Sequence, residues 1–500
     1  MKGVIMIQGT MSNVGKSLIC AGLCRILRQD GYSVAPFKAQ NMALNSFVTR
    51  EGLEMGRAQV MQAEAAKTEP SVDMNPILLK PSSDVGSQVI VGGEVVGNMP
   101  AAEYRKKRKE YIPKIKKCFE RLAKKYDIIV IEGAGSPAEI NLKDDDIVNM
   151  GMAKIADSPV LLVGDIDRGG VFAQLIGTVD LLEDDERERI KGLIINKFRG
   201  DKNILKSGID MLEKKAKKPV FGVVPYADVD IDDEDSLSEK FERKSKNAVI
   251  DIAVIKLPRI SNHTDFDVFE RIDGVGVRYV RNVYELREPD MIIIPGTKNT
   301  AEDLIYIREN GLEARIKQLA AKGKPILGIC GGFQMLGESI EDREGTEKKG
   351  EYKGIGLLPI KTVFSGKKTR TRVCGKFKNI GGIFEKLNSV CFEGYEIHNG
   401  VSEMTDGSEN MTVLRTEDTE KNDGVNKGNI YGSYVHGIFD SKEVTEVIIN
   451  ALAENKGIDM GKVKAYDAQN YKERQYDILA DVIRENVDME RIYKVVFGNL

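Results

Sequence analysis

The fold of the first half of the chain is decided by residues 4–17, VIMIQGTMSNVGKS, where a short apolar run meets a glycine-containing turn. The apolar run predicts a buried strand, and the helical pattern after the turn predicts a helix. In such a turn, backbone N–H groups converge on phosphate oxygens, a lysine supplies positive charge and a serine hydroxyl can ligate Mg²⁺. We therefore predict binding of ATP phosphates by Gly9, Asn13, Val14, Gly15, Lys16 and Ser17. The loop is a variant, because five residues rather than the usual four separate its first glycine from Gly-Lys-Ser.

The rest of the chain repeats this alternation of apolar runs and helical patterns. Continuous apolar runs predict parallel strands buried on both faces, and helices that cover the sheet. An acidic segment at 228–235 is poor in apolar residues and predicts a linker. The sequence predicts an α/β protein with two three-layer parallel-sheet domains and a helical C-terminal tail. The predicted boundaries are 1–228 and 249–440 for the domains, 229–248 for the linker and 441–500 for the tail.

Composition restricts the partners and the compartment. The 74 Lys and Arg against 77 Asp and Glu give a net charge of −3, which argues against general nucleic-acid binding. A membrane span is not expected, because no run of about 18 uncharged apolar residues occurs. The six cysteines form no Cys-x-x-Cys pair, which indicates a reducing compartment and predicts a cytoplasmic protein.

Polar side chains end several strands of the first predicted domain. Glu132 and Asp165 follow two apolar runs and, with Ser17, are candidate Mg²⁺ ligands. Lys38 closes the second strand, where it would contact phosphate or substrate; the alternative is a surface lysine. Asn196 ends a later strand, where its amide could contact adenine; the alternative is simple capping of a loop.

The second predicted domain carries a candidate nucleophile in residues 328–334, GICGGFQ. Small residues around Cys330 allow a sharp strand-to-helix turn that exposes the sulfur beside helix N–H groups. Those groups lower the pKa of a thiol and can stabilise an oxyanion. We predict that Cys330 is a catalytic nucleophile and that the remaining cysteines are structural.

Cysteine chemistry requires a base, and the chain contains only three histidines. His436 ends the last predicted strand and is the predicted general base and acid. His263 and His398 are interpreted as polar histidines near the site. The predicted oxyanion donors are the backbone N–H groups of Gly331 and Gly296, the latter at the end of another strand.

Both halves resemble known families. The phosphate loop with Glu132-Gly-Ala-Gly resembles the dethiobiotin-synthetase type of ATP-dependent ligase, in which ATP phosphorylates a carboxylate or carbamate. The motif around Cys330 resembles that of class I glutamine amidotransferases, Gly-x-Cys-x-Gly-x-Gln, which implies glutamine binding at Gln334. Those enzymes usually carry Glu two residues after the histidine, where this chain has Ile438. The acid that orients His436 is therefore left unassigned by the motif.

An ATP-activating domain and an ammonia-producing domain in one chain have amide formation in common. ATP converts a carboxylate into an acyl phosphate, and ammonia displaces the phosphate. A regulatory ATPase with an inactive amidotransferase domain is an alternative, but the presence of Lys16, Ser17, Cys330 and His436 together disfavours it.

Over nearly its full length the chain resembles the glutamine-hydrolysing cobyric acid synthases. The matching segments include 38–46, 132–142, 164–170, 196–200, 258–262, 295–300 and 471–476, besides the Cys330 and His436 motifs. This resemblance implies amidation of the b, d, e and g carboxylates of adenosylcobyrinic a,c-diamide, with ATP and Mg²⁺, and with glutamine as nitrogen donor. It implies a corrinoid polycarboxylate as partner and no nucleic acid or membrane. The alternatives are the sister a,c-diamide synthases, which share the plan, and another ATP-dependent carboxylate amidase.

Overall fold

The computed structural model of the chain describes residues 2–83, 86–231, 248–416, 419–459 and 468–498. These residues divide into two compact units, and each is described separately below. The first unit comprises the described residues up to 43, from 54 to 231 and from 469 to 498. The second comprises 44–53 and the described residues from 248 to 468. Within the described ranges, no helix is long and apolar enough to cross a membrane.

The strands, numbered in chain order, have the following bounds. They are β1 (Gly3–Gly9), β2 (Val34–Phe37), β3 (Gln40–Met42), β4 (Ser46–Val48), β5 (Glu54–Gly56), β6 (Ile77–Ser83), β7 (Gly86–Val91), β8 (Glu94–Pro100), β9 (Ile128–Glu132), β10 (Val160–Asp165), β11 (Ile190–Phe198), β12 (Val220–Pro225), β13 (Ile250–Ile255), β14 (Val275–Val280), β15 (Met291–Ile294), β16 (Ile326–Ile329), β17 (Ser339–Asp342), β18 (Gly350–Lys353), β19 (Ile360–Phe377), β20 (Cys391–Met404), β21 (Asn410–Arg415), β22 (Glu420–Lys427), β23 (Ile430–Ser433) and β24 (Val435–His436).

The α-helices are numbered in the same way. They are α1 (Lys16–Gln29), α2 (Arg57–Ala65), α3 (Ala101–Lys107), α4 (Ile112–Lys125), α5 (Met150–Ala156), α6 (Val171–Asp180), α7 (Asp184–Arg189), α8 (Lys206–Ala216), α9 (Asp267–Glu270), α10 (Val283–Leu286), α11 (Thr300–Glu309), α12 (Leu312–Ala321), α13 (Gly331–Leu336), α14 (Lys442–Lys456), α15 (Ala468–Asn486) and α16 (Met489–Val496).

The first unit is built on a parallel sheet of six strands in the order β12-β11-β10-β1-β9-β2. Every residue of β1, β2, β9 and β10 is buried, which explains why these strands read as continuous apolar runs. The first strand lies between β9 and β10, with Ile5 opposite Val130 and Gln8 opposite Leu162. The carboxyl ends of these three central strands therefore share one edge, where Gly9, Glu132 and Asp165 are placed.

The second unit has a mixed sheet whose first five strands, β14-β13-β15-β16-β23, are parallel. It continues through the antiparallel strands β22 and β21 to β19, which pairs with β20. The predicted α/β class with two sheet domains is confirmed, although the second sheet is parallel over only part of its width. Strand β20 alternates between exposed and buried positions only at its start, residues 391–393, whereas Tyr395, Glu396 and Ile397 are all buried.

The two ends of the predicted tail pack in different units. Helix α14 buries Ile448, Ile449 and Leu452 in the core of the second unit. Helices α15 and α16 close the core of the first unit, where Leu479 and Ile483 pack with residues of β1 and α1. Of the predicted linker, residues 232–247 lie outside the described residues.

Candidate active sites

The phosphate loop connects β1 to α1 through backbone that only a few residue types adopt readily. Gly15 has φ of +90° and Asn13 has φ of +63°, in the left-handed region that glycine and asparagine tolerate best. A Cβ at Gly15 would collide with the side-chain amide of Asn196. Lys16 donates from Nζ to the carbonyl of Met11 at 3.0 Å, so its ammonium lies over the loop. This is the geometry of a phosphate-binding turn at a helix N-terminus.

Glu132 is the centre of a buried polar cluster beside this loop. Its Oε1 accepts from the hydroxyl of Ser17 at 2.9 Å and from Nζ of Lys38 at 2.7 Å. Its Oε2 accepts from Nε2 of Gln62, a residue of α2, at 2.5 Å. Burial raises the pKa of Glu132, but the charge and hydrogen bond of Lys38 outweigh it, so the net pKa is below its usual value. The structure thus brings Ser17, Lys38 and Glu132 together and adds Gln62, which sequence reasoning missed.

The other two predicted residues of this site have different surroundings. Asp165 accepts from the backbone N–H of Asp167 at 2.8 Å and lies 3.2 Å from Nζ of Lys197. Asn196 donates from Nδ2 to the carbonyl of Val14 at 2.8 Å, so in this structure its amide holds the phosphate loop. The contact of Asn196 in this structure therefore corresponds to the alternative interpretation, in which its side chain caps the loop.

The donor set fits a magnesium ion that is bound together with phosphate. Mg²⁺ in nucleotide sites takes one or two protein oxygens and completes its octahedron with phosphate and water. Ser17 and Glu132 supply a hydroxyl and a carboxylate oxygen 2.9 Å apart. Within the described ranges, no group of three or more His, Cys, Asp or Glu residues is arranged to hold a metal ion by itself.

Cys330 lies at a sharp turn between β16 and α13. Its φ of +51° and ψ of −108° are unusual for a residue with a side chain and cost about 1–3 kcal/mol. The turn is closed by close packing of glycines, since a Cβ at Gly332 would collide with the carbonyl of Ile294. The backbone N–H of Cys330 donates to the carbonyl of Ser433 at 2.8 Å, which fixes the turn against β23. This is the strained strand-to-helix elbow that the sequence predicts for a nucleophile.

His436 is buried and paired with a carboxylate from a distant part of the sequence. Its Nδ1 lies 2.7 Å from Oδ2 of Asp265, and Oδ1 of Asp265 accepts from the backbone N–H of Gly437 at 3.2 Å. Burial lowers the pKa of His436, but Asp265 and the hydrogen bond with Cys330 together raise it to about 10. The three side chains form a Cys–His–Asp arrangement in which the acid fixes the tautomer of the imidazole.

Asp265 supplies the acid that the motif left unassigned. It lies in a short 3-10 helix, His263–Phe266, that follows β13, whereas Ile438 occupies the position of the usual Glu. The sequence offered a weak signal, since Asp265 comes two residues after His263 in a polar stretch behind a buried strand. A pairing across 171 residues, however, is visible only in the folded chain.

The two predicted oxyanion donors flank this arrangement. A Cβ at Gly296 would lie 2.9 Å from Cε1 of His436, so Gly296 is directly beside the imidazole. Gly331 follows the nucleophile, and a Cβ there would approach Cγ2 and N of Thr297. Both glycines are therefore required sterically, and both place backbone next to the reacting residues.

A second group of polar residues surrounds Gln334. Its Oε1 accepts from the hydroxyl of Thr300 at 3.1 Å, and its Nε2 donates to the hydroxyl of Tyr434 at 3.2 Å. Glu347 accepts from the backbone N–H of Thr300 at 2.6 Å, at the start of α11. Burial raises the pKa of Glu347 to about 7, and Lys298 opposes this rise. Thr300, Tyr434 and Glu347 were not predicted, because their role depends on the position of Gln334.

The remaining histidines have polar partners. Nδ1 of His398 lies 2.7 Å from the carbonyl of Gly400, and its ring stacks on Tyr434 at 3.7 Å between centroids. Nε2 of His263 lies 2.6 Å from Nδ2 of Asn45. These contacts agree with their interpretation as polar histidines near the site.

Together, the phosphate loop and the Cys–His–Asp arrangement define the class of protein: a nucleotide-binding ligase unit joined to a glutamine amidotransferase unit. Family comparisons agree with both halves. Residues 5–238 match the CobQ/CobB/MinD/ParA nucleotide binding domain, and residues 251–444 match the CobB/CobQ-like glutamine amidotransferase domain. The chain belongs to the cobyric acid synthase family, because relatives of that name are 50–59% identical to it over 98% of its length.

Relatives named cobyric acid synthase match almost the whole chain. The protein of Ruminiclostridium cellulolyticum is 59% identical over 98% of this chain and 96% of its own length. The protein of Lachnoclostridium phytofermentans is 56% identical over 98% of both chains. The protein of Thermoanaerobacter sp. strain X514 is 50% identical, also over 98% of both. This enzyme is therefore a glutamine amidotransferase ligase that uses ATP.

Proposed function

We propose that the chain amidates the b, d, e and g carboxylates of adenosylcobyrinic a,c-diamide, with glutamine as nitrogen donor and ATP as activating substrate. The observation that carries the proposal is the Cys330–His436–Asp265 arrangement, present in the same chain as a phosphate loop whose Ser17 contacts Glu132 together with Lys38, the residue after β2. The corrinoid is inferred from the relatives' name, and the amide chemistry follows from the two sites.

In the amidotransferase unit, the thiolate of Cys330 attacks the side-chain amide carbon of glutamine. Backbone N–H groups at Gly331 and Gly296 stabilise the oxyanion. His436, held by Asp265, gives its proton to the nitrogen as the C–N bond breaks, so ammonia leaves and a thioester remains. His436 then takes a proton from water, the hydroxide attacks the thioester carbon, and the C–S bond breaks, which releases glutamate and restores the thiolate.

Glutamine carries an α-ammonium and an α-carboxylate that require recognition. We assign recognition of the ammonium to Glu347, whose carboxylate accepts from the backbone N–H of Thr300, the residue whose hydroxyl donates to Gln334. Burial and the charge of Asp342 raise the pKa of Glu347 to about 7, and Lys298 opposes this rise. Gln334 forms the floor of this subsite through its bonds to Thr300 and Tyr434. We expect substitution of Glu347 to raise the KM for glutamine more than it lowers kcat.

In the ligase unit, a carboxylate oxygen of the corrinoid attacks the γ-phosphorus of ATP, and ADP leaves. Ammonia then displaces phosphate from the acyl phosphate, which forms the amide. Lys16 and the loop N–H groups hold the phosphates, and Lys38 would stabilise charge on the transferred group. Mg²⁺ bound by Ser17 and Glu132, with Asp165 as a candidate outer ligand, would neutralise phosphate charge; Asn196 is the proposed adenine contact.

The test is incubation with ATP, Mg²⁺, amide-¹⁵N glutamine and adenosylcobyrinic a,c-diamide, followed by mass spectrometry of the corrinoid. We expect up to four labelled nitrogens. Cys330→Ala should abolish labelling from glutamine but permit amidation from ammonium. Cys391→Ala, at an exposed cysteine, is the matched control and should behave as wild type. Binding of ATP without incorporation would exclude this corrinoid as the substrate.

A further inference from the structure

Residues 44–53 are covalently part of the first half of the chain, yet by their contacts they belong to the second unit. They lie outside residues 251–444, which match the amidotransferase domain. We infer that Asn45, Ser46 and Phe47 are positioning residues of the glutaminase reaction, acting through the two elements that hold His436. The inference rests on the proposed role of Cys330 and His436.

The first element is the turn that carries Asp265. Nδ2 of Asn45 lies 2.6 Å from Nε2 of His263, and the backbone N–H of Ser46 donates to Oδ1 of Asn262 at 3.2 Å. The backbone N–H of Asp265 in turn donates to the carbonyl of Asn262 at 3.1 Å. Asn262 has φ of +51°, in the left-handed region that asparagine tolerates. The segment therefore fixes the turn from which Asp265 reaches His436.

The second element is strand β20. Tyr395 stacks on the imidazole of His436 with 5.4 Å between centroids, and its hydroxyl donates to the carbonyl of Ser46 at 3.3 Å. Phe47 packs on the ring of Tyr395, and the fully buried Val48 packs on Tyr395 and Ile397. Residues 45–48 thus contact the two supports of His436 between them: Asn45 contacts the first, Phe47 and Val48 contact the second, and Ser46 contacts both.

The contacts of residues 44–53 with the supports of His436 have a functional consequence. Lys38, at the phosphate site, precedes Asn45 by only seven residues. The ligase half of the sequence therefore supplies part of the support of the glutaminase site, and the amidotransferase sequence alone lacks it. The rate depends strongly on the geometry of a catalytic pair, because misplacement by about 1 Å can lower it roughly a hundredfold.

The test compares full-length variants in a glutaminase assay without corrinoid. Asn45→Leu keeps the branched shape of the side chain, although it is larger, and removes the donor to His263. Tyr395→Phe keeps the stacked ring but removes the bond to Ser46. We expect Asn45→Leu to lower kcat about ten- to a hundredfold, with the KM for glutamine within about twofold, and Tyr395→Phe to have a smaller effect. Amidation from ammonium should be unchanged. Glu51→Gln, at an exposed position of the same segment, is the matched control.

Two readouts separate positioning from a merely structural effect. Because Asp265 raises the pKa of His436, a displaced Asp265 should move the alkaline limb of the kcat profile of Asn45→Leu to lower pH. His263→Gln, which offers an amide oxygen to Asn45, should retain activity, whereas His263→Ala should resemble Asn45→Leu. A wild-type kcat and pH profile in a folded Asn45→Leu would overturn the inference. If Cys330→Ala leaves glutaminase activity intact, the proposed function itself fails instead.

Discussion

Nδ1 of His436 lies 2.7 Å from Oδ2 of Asp265, and both side chains are buried. The acid comes from the 3-10 helix His263–Phe266, which follows β13, whereas the motif of related enzymes would place it two residues after the histidine. The acid that pairs with the histidine is therefore supplied from a different position in the fold.

Replacing Asp265 by Asn keeps the side-chain shape but removes the charge that stabilises the imidazolium. We expect glutamine-dependent amidation to fall about 10²–10⁴-fold, because proton transfer by His436 is impaired. Ammonium-dependent amidation should stay at the wild-type rate. Steady-state rates with each nitrogen source measure both, and equal losses with glutamine and ammonium would contradict the assignment.

The same pair predicts a pH dependence of stability. The folded pKa of His436, about 10, is above its unfolded value of 6.5, so the pair's stabilisation is complete below pH 6.5 and is lost as pH rises through about 10. The free energy of unfolding of wild type should exceed that of Asp265→Asn most near pH 6, and the difference should shrink towards pH 10. Urea titrations across this range measure it; a difference that grows with pH would refute the raised pKa.

Gly296→Ala should damage the glutaminase site sterically. The added Cβ would lie 2.9 Å from Cε1 of His436 and 3.4 Å from Oγ of Ser261. We expect at least a tenfold loss of glutamine-dependent activity, with ammonium-dependent activity retained. Gly177→Ala is the matched control, because a Cβ there meets no atom within 4 Å and helix α6 should gain about 0.5–1 kcal/mol. Similar glutaminase losses in both variants would argue against the steric explanation.

Glu132→Ala removes one partner of a buried ion pair with Lys38. We expect destabilisation of about 3–5 kcal/mol, and loss of amidation from both glutamine and ammonium. Glu132→Gln should fold better, since its amide oxygen can still accept from Ser17, yet should be equally inactive in ATP-dependent amidation. Glutaminase activity measures the integrity of the second unit, and its survival in Glu132→Gln would locate the defect in the ligase reaction.

Much of the fold and of the two candidate sites could be predicted, because these features depend on residues that are near one another in sequence. The phosphate loop and the Cys330 elbow are local turns, in which glycines and the catalytic residue occur together. The alternation of apolar runs with helical patterns likewise predicts parallel sheets, since strands buried on both faces must be apolar throughout. The polar ends of β9 and β10 are then expected to lie at one edge of the sheet.

The sequence by itself therefore determined the class of fold, the phosphate loop and the Cys330 elbow, and it predicted the nucleophile and the histidine that serves it. Only the tertiary structure decided which acid orients His436, that Gln62 joins Lys38 at Glu132, and that residues 44–53 pack in the second unit. These relations join positions far apart in the chain, and no local pattern constrains them. These relations have one physical basis: buried polar groups need hydrogen-bond partners, and the fold alone determines which partners are within reach.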